Sequence, residues 1–295
     1  MIINTYKQES LLEGTIYDSD LGFHQIGLDL MREEAELFEM YTKHDIAELS
    51  IVNESEIAIL NEASVKEIVQ KFIGVVKAFI QKIQAAFNAF MDKIKAISLK
   101  IKANLAAKKK SSSNTDLNKK ITYTVTIIED DDFNKIYSAM DYITNEINKI
   151  TSDINNDQIK DIYDGSSLKD EILKICGGGE SISWIINGYV KEREFSHTIE
   201  EIFSASNAFI TKQSGISSRN KSITKSLETF NNNLETYIKS VLKNNTELEY
   251  GRKCTQLINY TGTLMKTTTD IHTSTYNASM RCIESYTKVI QNIKL

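Results

Sequence analysis

The longest regular pattern of apolar residues in this chain begins at Ser64. Its apolar side chains follow one another at steps of three or four residues, which returns each of them to the same side of an α-helix. They are Val65, Ile68, Phe72, Val76, Phe79, Ile83, Phe87, Phe90, Ile94, Ile97 and Ile101. Ser64 and Glu67 form a capping-box pattern, which marks a helix start. We therefore predict one long helix that ends at about Leu105, either continuous or broken once near Gly74 or around Asn88.

Two further helical patterns occupy the C-terminal part of the chain, from residue 216 to residue 295. The apolar positions of the first are Ile223, Leu227, Phe230, Leu234, Ile238 and Val241. The seam of the second is rich in threonine and consists of Leu257, Thr261, Leu264, Thr268, Ile271, Thr275, Cys282, Val289 and Ile293. We predict an antiparallel helical hairpin, joined between Asn244 and Gly251. Because of its threonine content, we expect the hairpin to pack loosely or to bind other copies of the chain.

A different pattern, typical of a β-strand, covers residues 121–130, which open with a run of β-branched and aromatic residues. One strand cannot form a sheet, so it either pairs with a strand that the sequence does not reveal or is the start of the next helix. Helical spacing returns between residues 131 and 154. The chain contains no proline, which suits long helices. These patterns predict a mainly α fold: an elongated helical bundle with a long amphipathic helix, a C-terminal helical hairpin and a minor β element near residues 121–130.

Charge divides the N-terminal third of the chain into two opposed blocks. Residues 1–62 hold fourteen acidic and three basic residues, a net charge of −11. Residues 63–110 hold eleven lysines and two acidic residues, a net charge of +9. The whole chain carries −5, so the total hides a reversal at residue 62. Asymmetry of this kind is typical of an interaction arm or a removable segment rather than of catalysis.

The patterns and the charges together predict three regions. Residues 1–62 are an acidic N-terminal segment, interpreted as a propeptide, and residues 63–110 are the basic amphipathic helix. Residues 111–295 form a helical domain that ends in the hairpin, and a polar linker at residues 108–120 separates it from the basic helix. The start of the chain lacks a basic stretch followed by an apolar run, so no secretory signal is predicted. The sequence also predicts no ordinary transmembrane helix.

The residue types that carry catalysis or bind metals show no spacing typical of a site. The three cysteines, Cys176, Cys254 and Cys282, have no CxxC spacing, so neither a disulfide framework nor a zinc site is predicted. The four histidines are scattered, at His24, His44, His197 and His272. We therefore expect a non-enzymatic protein without a metal, a cofactor or a small-molecule substrate.

Five local features have both a functional and a structural interpretation, and in each the structural one is favoured. The glycines at 177–179 lack the lysine of a phosphate loop and indicate a turn or hinge. Beside them, Cys176 is expected to be a buried, inert thiol. The acidic run at 129–132 fits the N-terminus of the following helix better than a cation site. Trp184 is interpreted as part of the core, and His272 as a solvated residue or one at the edge of the core.

The basic amphipathic helix has two functional interpretations and one structural interpretation. Its lysines lie mostly off the apolar stripe and are Lys66, Lys71, Lys77, Lys82, Lys93, Lys95, Lys100 and Lys102. A helix with an apolar stripe and a lysine-rich face can lie on an anionic membrane. It can also bind the phosphates of a nucleic acid. In the third interpretation the stripe packs into the protein's own bundle and the lysines face water.

The residues at the charge reversal resemble a cleavage signal. Leu60, Glu62 and Ala63 fit the pattern that T4-type prohead proteases cut: Leu or Ile, any residue, Glu and then a small residue. Residues 11–14 fit it as well. In layout, the first 110 residues resemble an internal head protein of tailed bacteriophages that carries an N-terminal propeptide. The resemblance implies that the acidic segment targets the precursor to the assembling capsid and is removed after Glu62 during maturation.

The favoured hypothesis is a non-enzymatic bacteriophage virion structural protein, an internal head protein that is assembled in the host cytoplasm and ejected with DNA. Its expected partners are other virion proteins or further copies of itself, together with DNA or the host membrane at the lysines of the basic helix. One alternative is a membrane-active helical protein similar to α-pore-forming toxins, although charge recurring along the helix opposes insertion. The other alternative is a cytoplasmic helical scaffold.

Overall fold

The computed structural model describes residues 62–111, 118–156, 158–159, 163–241 and 247–293. Within these ranges the chain forms six helices and two strands. In chain order they are α1 (Glu62–Ser111), β1 (Ile121–Ile128), α2 (Asp130–Asn155), α3 (Gly165–Ile175), α4 (Ile182–Gly188), β2 (Val190–His197), α5 (Ile199–Val241) and α6 (Glu247–Asn292). The predicted mainly α fold with a minor β element is confirmed.

The long helix predicted by the apolar stripe is continuous. α1 passes through Gly74 and Asn88 without a break. It already includes Glu62, two residues before Ser64, so the predicted cap is wrong and both Ser64 and Glu67 lie inside the helix. The two residues that precede Ser64 are good helix formers, which allows the helix to extend past the capping-box pattern.

The apolar stripe of α1 packs against both arms of the hairpin. Phe72 meets Phe230 of α5 edge to face, with ring centroids 6.4 Å apart. Further along, the ring of Phe90 lies 4.7 Å from that of Tyr276 on α6. The buried members of the stripe are Phe72, Val76, Phe79, Ile83, Phe87, Phe90, Ile94 and Ile101. Burying one such side chain contributes about 1.5–3 kcal/mol, so the stripe is a major part of the core.

The hairpin predicted from the two C-terminal patterns consists of α5 and α6. Asn220 Nδ2 of α5 lies 3.3 Å from His272 Nδ1 of α6. Ser279 Oγ of α6 donates a hydrogen bond of 3.0 Å to Gln213 Oε1 of α5. The later residue on one helix pairs with the earlier residue on the other, so the helices are antiparallel. The second helix already includes Glu247, so the connection ends earlier than predicted.

α6 is the central helix, and most of its side chains between residues 264 and 283 are buried. All five other helices and both strands contact it. Several of its buried threonine hydroxyls donate to the carbonyl four residues earlier in the same helix. These pairs are Thr261 with Leu257, Thr268 with Leu264, Thr269 with Met265 and Thr287 with Ile283. The threonine seam is therefore buried, and these hydroxyls form their hydrogen bonds within α6 itself. The seam does not present a surface to other copies of the chain.

β1 pairs with β2 in an antiparallel sheet whose register places Ile121 opposite His197. β2 is the partner strand that the sequence does not reveal. The other edge of β1 faces α6, where Thr126 N donates to Ser285 Oγ over 2.8 Å. The sheet is therefore attached to the bundle along one edge.

Capping side chains fix the starts of two helices. At α5 the Thr198 N–H donates to Glu201 Oε2 over 2.8 Å, and the Glu201 N–H donates to Thr198 Oγ1 over 3.3 Å. This is a reciprocal capping box, and the spacing of Thr198 and Glu201 is the sequence signal for it. At α3 the carboxylate of Asp164 accepts from the N–H groups of Ser166 and Ser167. Each cap satisfies backbone N–H groups in the first turn that have no partner within the helix.

α2 and α5 approach closely at Gly215. The hydroxyl of Tyr137 on α2 donates to the carbonyl of Lys212 on α5 over 2.6 Å. A Cβ atom on Gly215 would lie 2.7 Å from the hydroxyl oxygen of Tyr137. The guanidinium of Arg219 stacks on the same ring, 4.2 Å from its centroid, and bonds to Asp141. Only a residue without a side chain fits at this crossing.

Candidate functional site

The structure describes five of the eight predicted lysine side chains of α1 and places them on its solvent side or at its flank. Four are exposed and one is half-buried: Lys71, Lys77, Lys95 and Lys102, with Lys82 as the half-buried one. The remaining three side chains lie outside the described part of the chain: Lys66, Lys93 and Lys100. The stripe turns inward and the exposed lysines face water, which is the arrangement of the third interpretation.

Three of the exposed lysines share one side of α1. Lys95 follows Lys77 by 18 residues, which is about five helical turns. Lys102 follows Lys95 by seven residues, which is about two turns. We call Lys77, Lys95 and Lys102 the lysine row. At about 1.5 Å per residue the row spans about 38 Å, and Lys71 and Lys82 lie on the opposite flank of the buried stripe.

Two members of the lysine row have acidic neighbours, and both pairs lie at the surface. Lys77 Nζ is 3.7 Å from Glu235 Oε2 of α5. Lys95 Nζ is 3.2 Å from Asp92 Oδ1 of the same helix. Exposed ion pairs contribute about 0–1 kcal/mol and weaken as salt rises. A phosphate group can therefore compete for these ammonium groups.

The packing of α1 bears on the membrane hypothesis. No helix in the described ranges is long and apolar enough to cross a membrane. Insertion of the stripe would require α1 to leave α5 and α6. That separation would expose Phe72, Phe79 and Phe230, each of which is 0–1% exposed in the bundle. The membrane hypothesis therefore needs a second conformation in which this apolar surface is covered by lipid.

The predicted processing site lies at the start of α1. Glu62 and Ala63 are the first two residues of the helix, whereas Leu60 and residues 11–14 lie outside the described residues. The first four N–H groups of a helix have no partner within it. The bond after Glu62 is therefore easier to expose locally than a bond in the helix interior.

The glycine turn and its neighbouring cysteine have the structure that the sequence predicts. Gly177, Gly178 and Gly179 have φ angles of +99°, +80° and +150°, a range that favours glycine. Cys176 is buried, and burial raises the pKa of its thiol to about 11. The thiolate is therefore scarce at neutral pH, and the thiol is unreactive. The hydroxyl of Tyr189 donates to the backbone carbonyl of Cys176.

Trp184 lies at the surface, so its predicted place in the core is wrong. Its side chain is 68% exposed on the short helix α4. The buried face of α4 consists of Ile182, Ile185 and Ile186, and helical geometry places Trp184 on the other side. Its ring lies over Gly179, where an added Cβ atom would come within 3.1 Å of two ring carbons.

His272 is buried, so of its two interpretations, a solvated residue or one at the edge of the core, the solvated one is wrong. The ring of Phe87 lies 5.8 Å from its ring, and Asn220 contacts it from α5. Burial lowers the pKa of His272 to about 4. The imidazole is therefore neutral at physiological pH, with one ring nitrogen as a donor and the other as an acceptor.

The acidic run at 129–132 meets cations of the protein itself. Arg193 and Lys191 of β2 donate to the carboxylate of Glu129 over 2.6 and 3.3 Å, and these hydrogen bonds lower its pKa. Asp132 is buried and pairs with Lys135 over 2.7 Å. As predicted, the run occupies the N-terminus of the following helix, α2. Neither cation could be assigned to this site from the sequence, because a charged strand has no apolar alternation.

Neither a metal site among the described residues nor a similar protein points to a function. In the described part of the chain, no group of three or more His, Cys, Asp or Glu side chains could hold a metal ion. Comparison of the chain with protein-family models, with curated proteins and with solved structures finds no match. The features that bear on function are therefore the surface of α1 and the junction that precedes it.

Proposed function

We propose that this chain is a non-enzymatic structural protein of a tailed-bacteriophage particle, packaged inside the head, whose lysine row contacts DNA. The orientation of α1 supports the DNA contact, because the stripe faces the core while Lys77, Lys95 and Lys102 stay in solvent. The virion setting rests on the cleavage-like junction at Leu60, Glu62 and Ala63.

The length of the lysine row suits a DNA duplex. The row spans about 38 Å, and one turn of duplex DNA is about 34–36 Å long. Lys77 and Lys102 can therefore reach phosphates of the same strand one turn apart. Contacts of this kind carry no base specificity, and they release counterions from the DNA. That behaviour fits a protein packed beside a whole genome.

The acidic segment gives this contact a means of control. Residues 1–62 carry −11 next to the +9 of the basic helix, and opposed charges attract. We expect the segment to lower the affinity of α1 for DNA before assembly. Its removal would change the net charge of the chain from −5 to +6, and so would favour contact with DNA at the stage when the genome enters the head.

The DNA contact is tested by fluorescence anisotropy with a labelled duplex. One variant changes the lysine row to glutamine (Lys77→Gln, Lys95→Gln, Lys102→Gln). The control changes three exposed lysines on α3 and α6 (Lys169→Gln, Lys174→Gln, Lys288→Gln). The row variant is expected to lose about tenfold or more in affinity at low salt, because each lost phosphate contact weakens binding.

The control variant should retain most of the affinity, since it removes the same charge from other surfaces. An equal loss in both variants would show that only net charge matters. The absence of DNA binding by both the full chain and a chain that begins at Ala63 would overturn the DNA contact. Dye release from anionic vesicles by either chain would favour the membrane-active alternative instead.

The virion setting is tested by N-terminal sequencing of the protein from purified particles. Cleavage after Glu62 predicts Ala63 as the first residue. An intact N-terminus at Met1 or Ile2 in mature particles would contradict the processing step.

A further inference from the structure

Among the described residues, one edge of β2 has no partner strand. On β1, the N–H of Thr126 points away from β2 to Ser285 of α6, and Thr126 lies opposite Glu192 in the register. Thr126 and Glu192 are therefore a non-hydrogen-bonded pair. In such a pair the backbone N–H and C=O groups of each residue point away from the other strand.

The same geometry recurs at every second residue of an antiparallel ladder. The backbone N–H and C=O groups of Glu192, Glu194 and Ser196 consequently point to the outer edge of β2. All three residues are exposed. No backbone hydrogen bond from another described element reaches this edge. A row of unpaired N–H and C=O groups is a template for a further strand.

The two faces of β2 differ in charge. Lys191 and Arg193 are held by the carboxylate of Glu129, so their charge is compensated. Glu192 and Glu194 lie on the other face, opposite the neutral side chains of threonines on β1. Neither glutamate forms an ion pair with another described residue. The free edge therefore carries uncompensated negative charge on its solvent face.

We propose that the free edge of β2 docks an extended basic segment of a partner protein as a third strand of the sheet. The main-chain groups of Glu192, Glu194 and Ser196 would supply the hydrogen bonds. Lysine or arginine at alternate positions of the segment would lie on the same face as the two glutamates, where opposite charges across strands are favourable. This docking site is independent of the lysine row on α1.

A second copy of this chain is a poor occupant of the edge. Two β2 strands related by a two-fold axis place even-numbered residues opposite even-numbered ones, because directly opposite side chains point to the same face. If the axis passes through residue 192 or 194, that glutamate lies opposite its own copy. If it passes through residue 193, Glu192 lies opposite Glu194, so each of these registers places like charges together, which is destabilising. The acidic residues 1–62 carry the same sign of charge as this edge and are unsuitable as well.

Hydrogen exchange of the full chain tests the docking geometry. The probe is a short synthetic peptide in which lysine alternates with threonine. At saturating peptide, exchange of the amides of Glu192, Glu194 and Ser196 is expected to slow by about tenfold or more. The amides of Arg193 and Phe195, which already face β1, should change little. Unchanged exchange at the three outward amides would overturn the proposal.

Two variants at one position separate the backbone from the charge. Glu194→Pro removes an outward N–H, which an edge strand tolerates, whereas Glu194→Gln removes only the charge. Peptide affinity should fall severalfold in Glu194→Gln. In Glu194→Pro it should fall about tenfold further. Equal affinities in the two variants would overturn the strand addition. If Glu194→Pro does not fold, the exchange measurement on the unaltered chain still decides the matter.

A charge reversal tests the chemistry of the partner. The variant with Glu192→Lys and Glu194→Lys should lose the basic peptide and bind a peptide in which glutamate alternates with threonine. The matched control, with Asp170→Lys and Glu180→Lys at other exposed positions, should keep the original preference. A switched preference in both variants would show that binding follows net charge, and an unchanged preference in both would show that the two glutamates do not contact the peptide. Either result would overturn the site. Self-association of the full chain that Glu194→Pro abolishes would assign the edge to a second copy and would also overturn the proposal.

Discussion

The stripe of α1 and the seam between α5 and α6 have the same helical periodicity, but they bury different chemistry. The stripe contributes large apolar side chains such as Phe72, Phe79 and Ile83, each 0–1% exposed. The seam contributes polar pairs, among them Asn220 with His272. Apolar burial is not directional, whereas a buried hydrogen bond requires one alignment of its partners. Of the two regions, the stripe is therefore expected to contribute more to stability, while the seam specifies how the hairpin is aligned.

The seam also carries an energetic cost that the stripe does not. Several buried polar atoms of α5 and α6 have no hydrogen-bond partner within the described structure. On α5 these atoms are Gln213 Nε2 and Asn220 Oδ1, at the seam, and on α6 they include Thr273 Oγ1 and Thr275 Oγ1, elsewhere along the central helix. A buried polar atom left without a partner costs about 1–3 kcal/mol. Substitutions in the two regions should therefore differ in sign as well as in size.

The largest expected effect comes from the stripe. Phe72→Ala should lower the free energy of unfolding by about 3–5 kcal/mol, because it removes a fully buried ring and leaves a cavity. Leu99→Ala on the same helix is the control, since Leu99 is 66% exposed and its change should stay within about 0.5 kcal/mol. Urea unfolding measures both. Similar losses in the two variants would contradict the buried orientation of the stripe.

The next effect is the pH dependence of the seam. The pKa of His272 is about 4 in the folded protein, below its ordinary value of 6.5, so the folded state favours the neutral ring. The stability that depends on the neutral ring is fully present above pH 6.5. As the pH falls towards 4, the free energy of unfolding should decrease by up to about 3 kcal/mol. His272→Phe should remove this part of the pH dependence. The measurement is the free energy of unfolding of both proteins at pH 7 and at pH 4.5. If the loss between these two pH values is the same in both proteins, His272 is not its source.

Two glycine-to-alanine variants compare the packed side of α5 with the open side of α1. Gly215→Ala should destabilise the protein by about 1–3 kcal/mol, because its Cβ would meet the ring of Tyr137. Gly74→Ala has no atom within 4 Å of the added Cβ and should stabilise α1 by up to about 1 kcal/mol. Thermal unfolding measures the difference. The same sign for both variants would contradict the close crossing of α2 and α5.

The smallest effect compares two buried threonines of α6. Thr273→Val removes a buried hydroxyl that has no hydrogen-bond partner, and should stabilise the protein by about 1 kcal/mol. Thr268→Val removes a hydroxyl that donates to Leu264 over 2.7 Å, and should destabilise it by about 0.5–1 kcal/mol. Denaturant midpoints measured side by side give the two signs. Destabilisation by Thr273→Val would indicate a bound partner, such as water, at its hydroxyl.

Elements with a regular apolar pattern could be predicted from the sequence. The stripe predicts α1 because every third or fourth residue is large and apolar, and alternation predicts β1 in the same way. β2 escapes prediction because Lys191 and Arg193 occupy its inward positions. Their charges are compensated by Glu129, which is distant in sequence, so no local pattern signals a strand.

The misjudged residues show where periodicity stops being informative. Trp184 is large and apolar, yet its helix is short and its neighbours at 182, 185 and 186 already occupy the buried face. His272 is polar, yet it lies on the central helix, which is surrounded on all sides. A periodic pattern of apolar residues identifies the buried side of an element that has one buried and one exposed side. It does not show which helix becomes central, because that depends on how all the helices pack.

The most direct test of the account is the salt dependence of DNA binding by a chain that begins at Ala63. For duplex DNA, the slope of log affinity against log salt changes by about 0.9 for each phosphate contact. Changing Lys77, Lys95 and Lys102 to glutamine should make the slope shallower by about 2.7, whereas the control at Lys169, Lys174 and Lys288 should change it by less than about 1. An unchanged slope in the row variant would contradict the central claim that the solvent face of α1 contacts DNA.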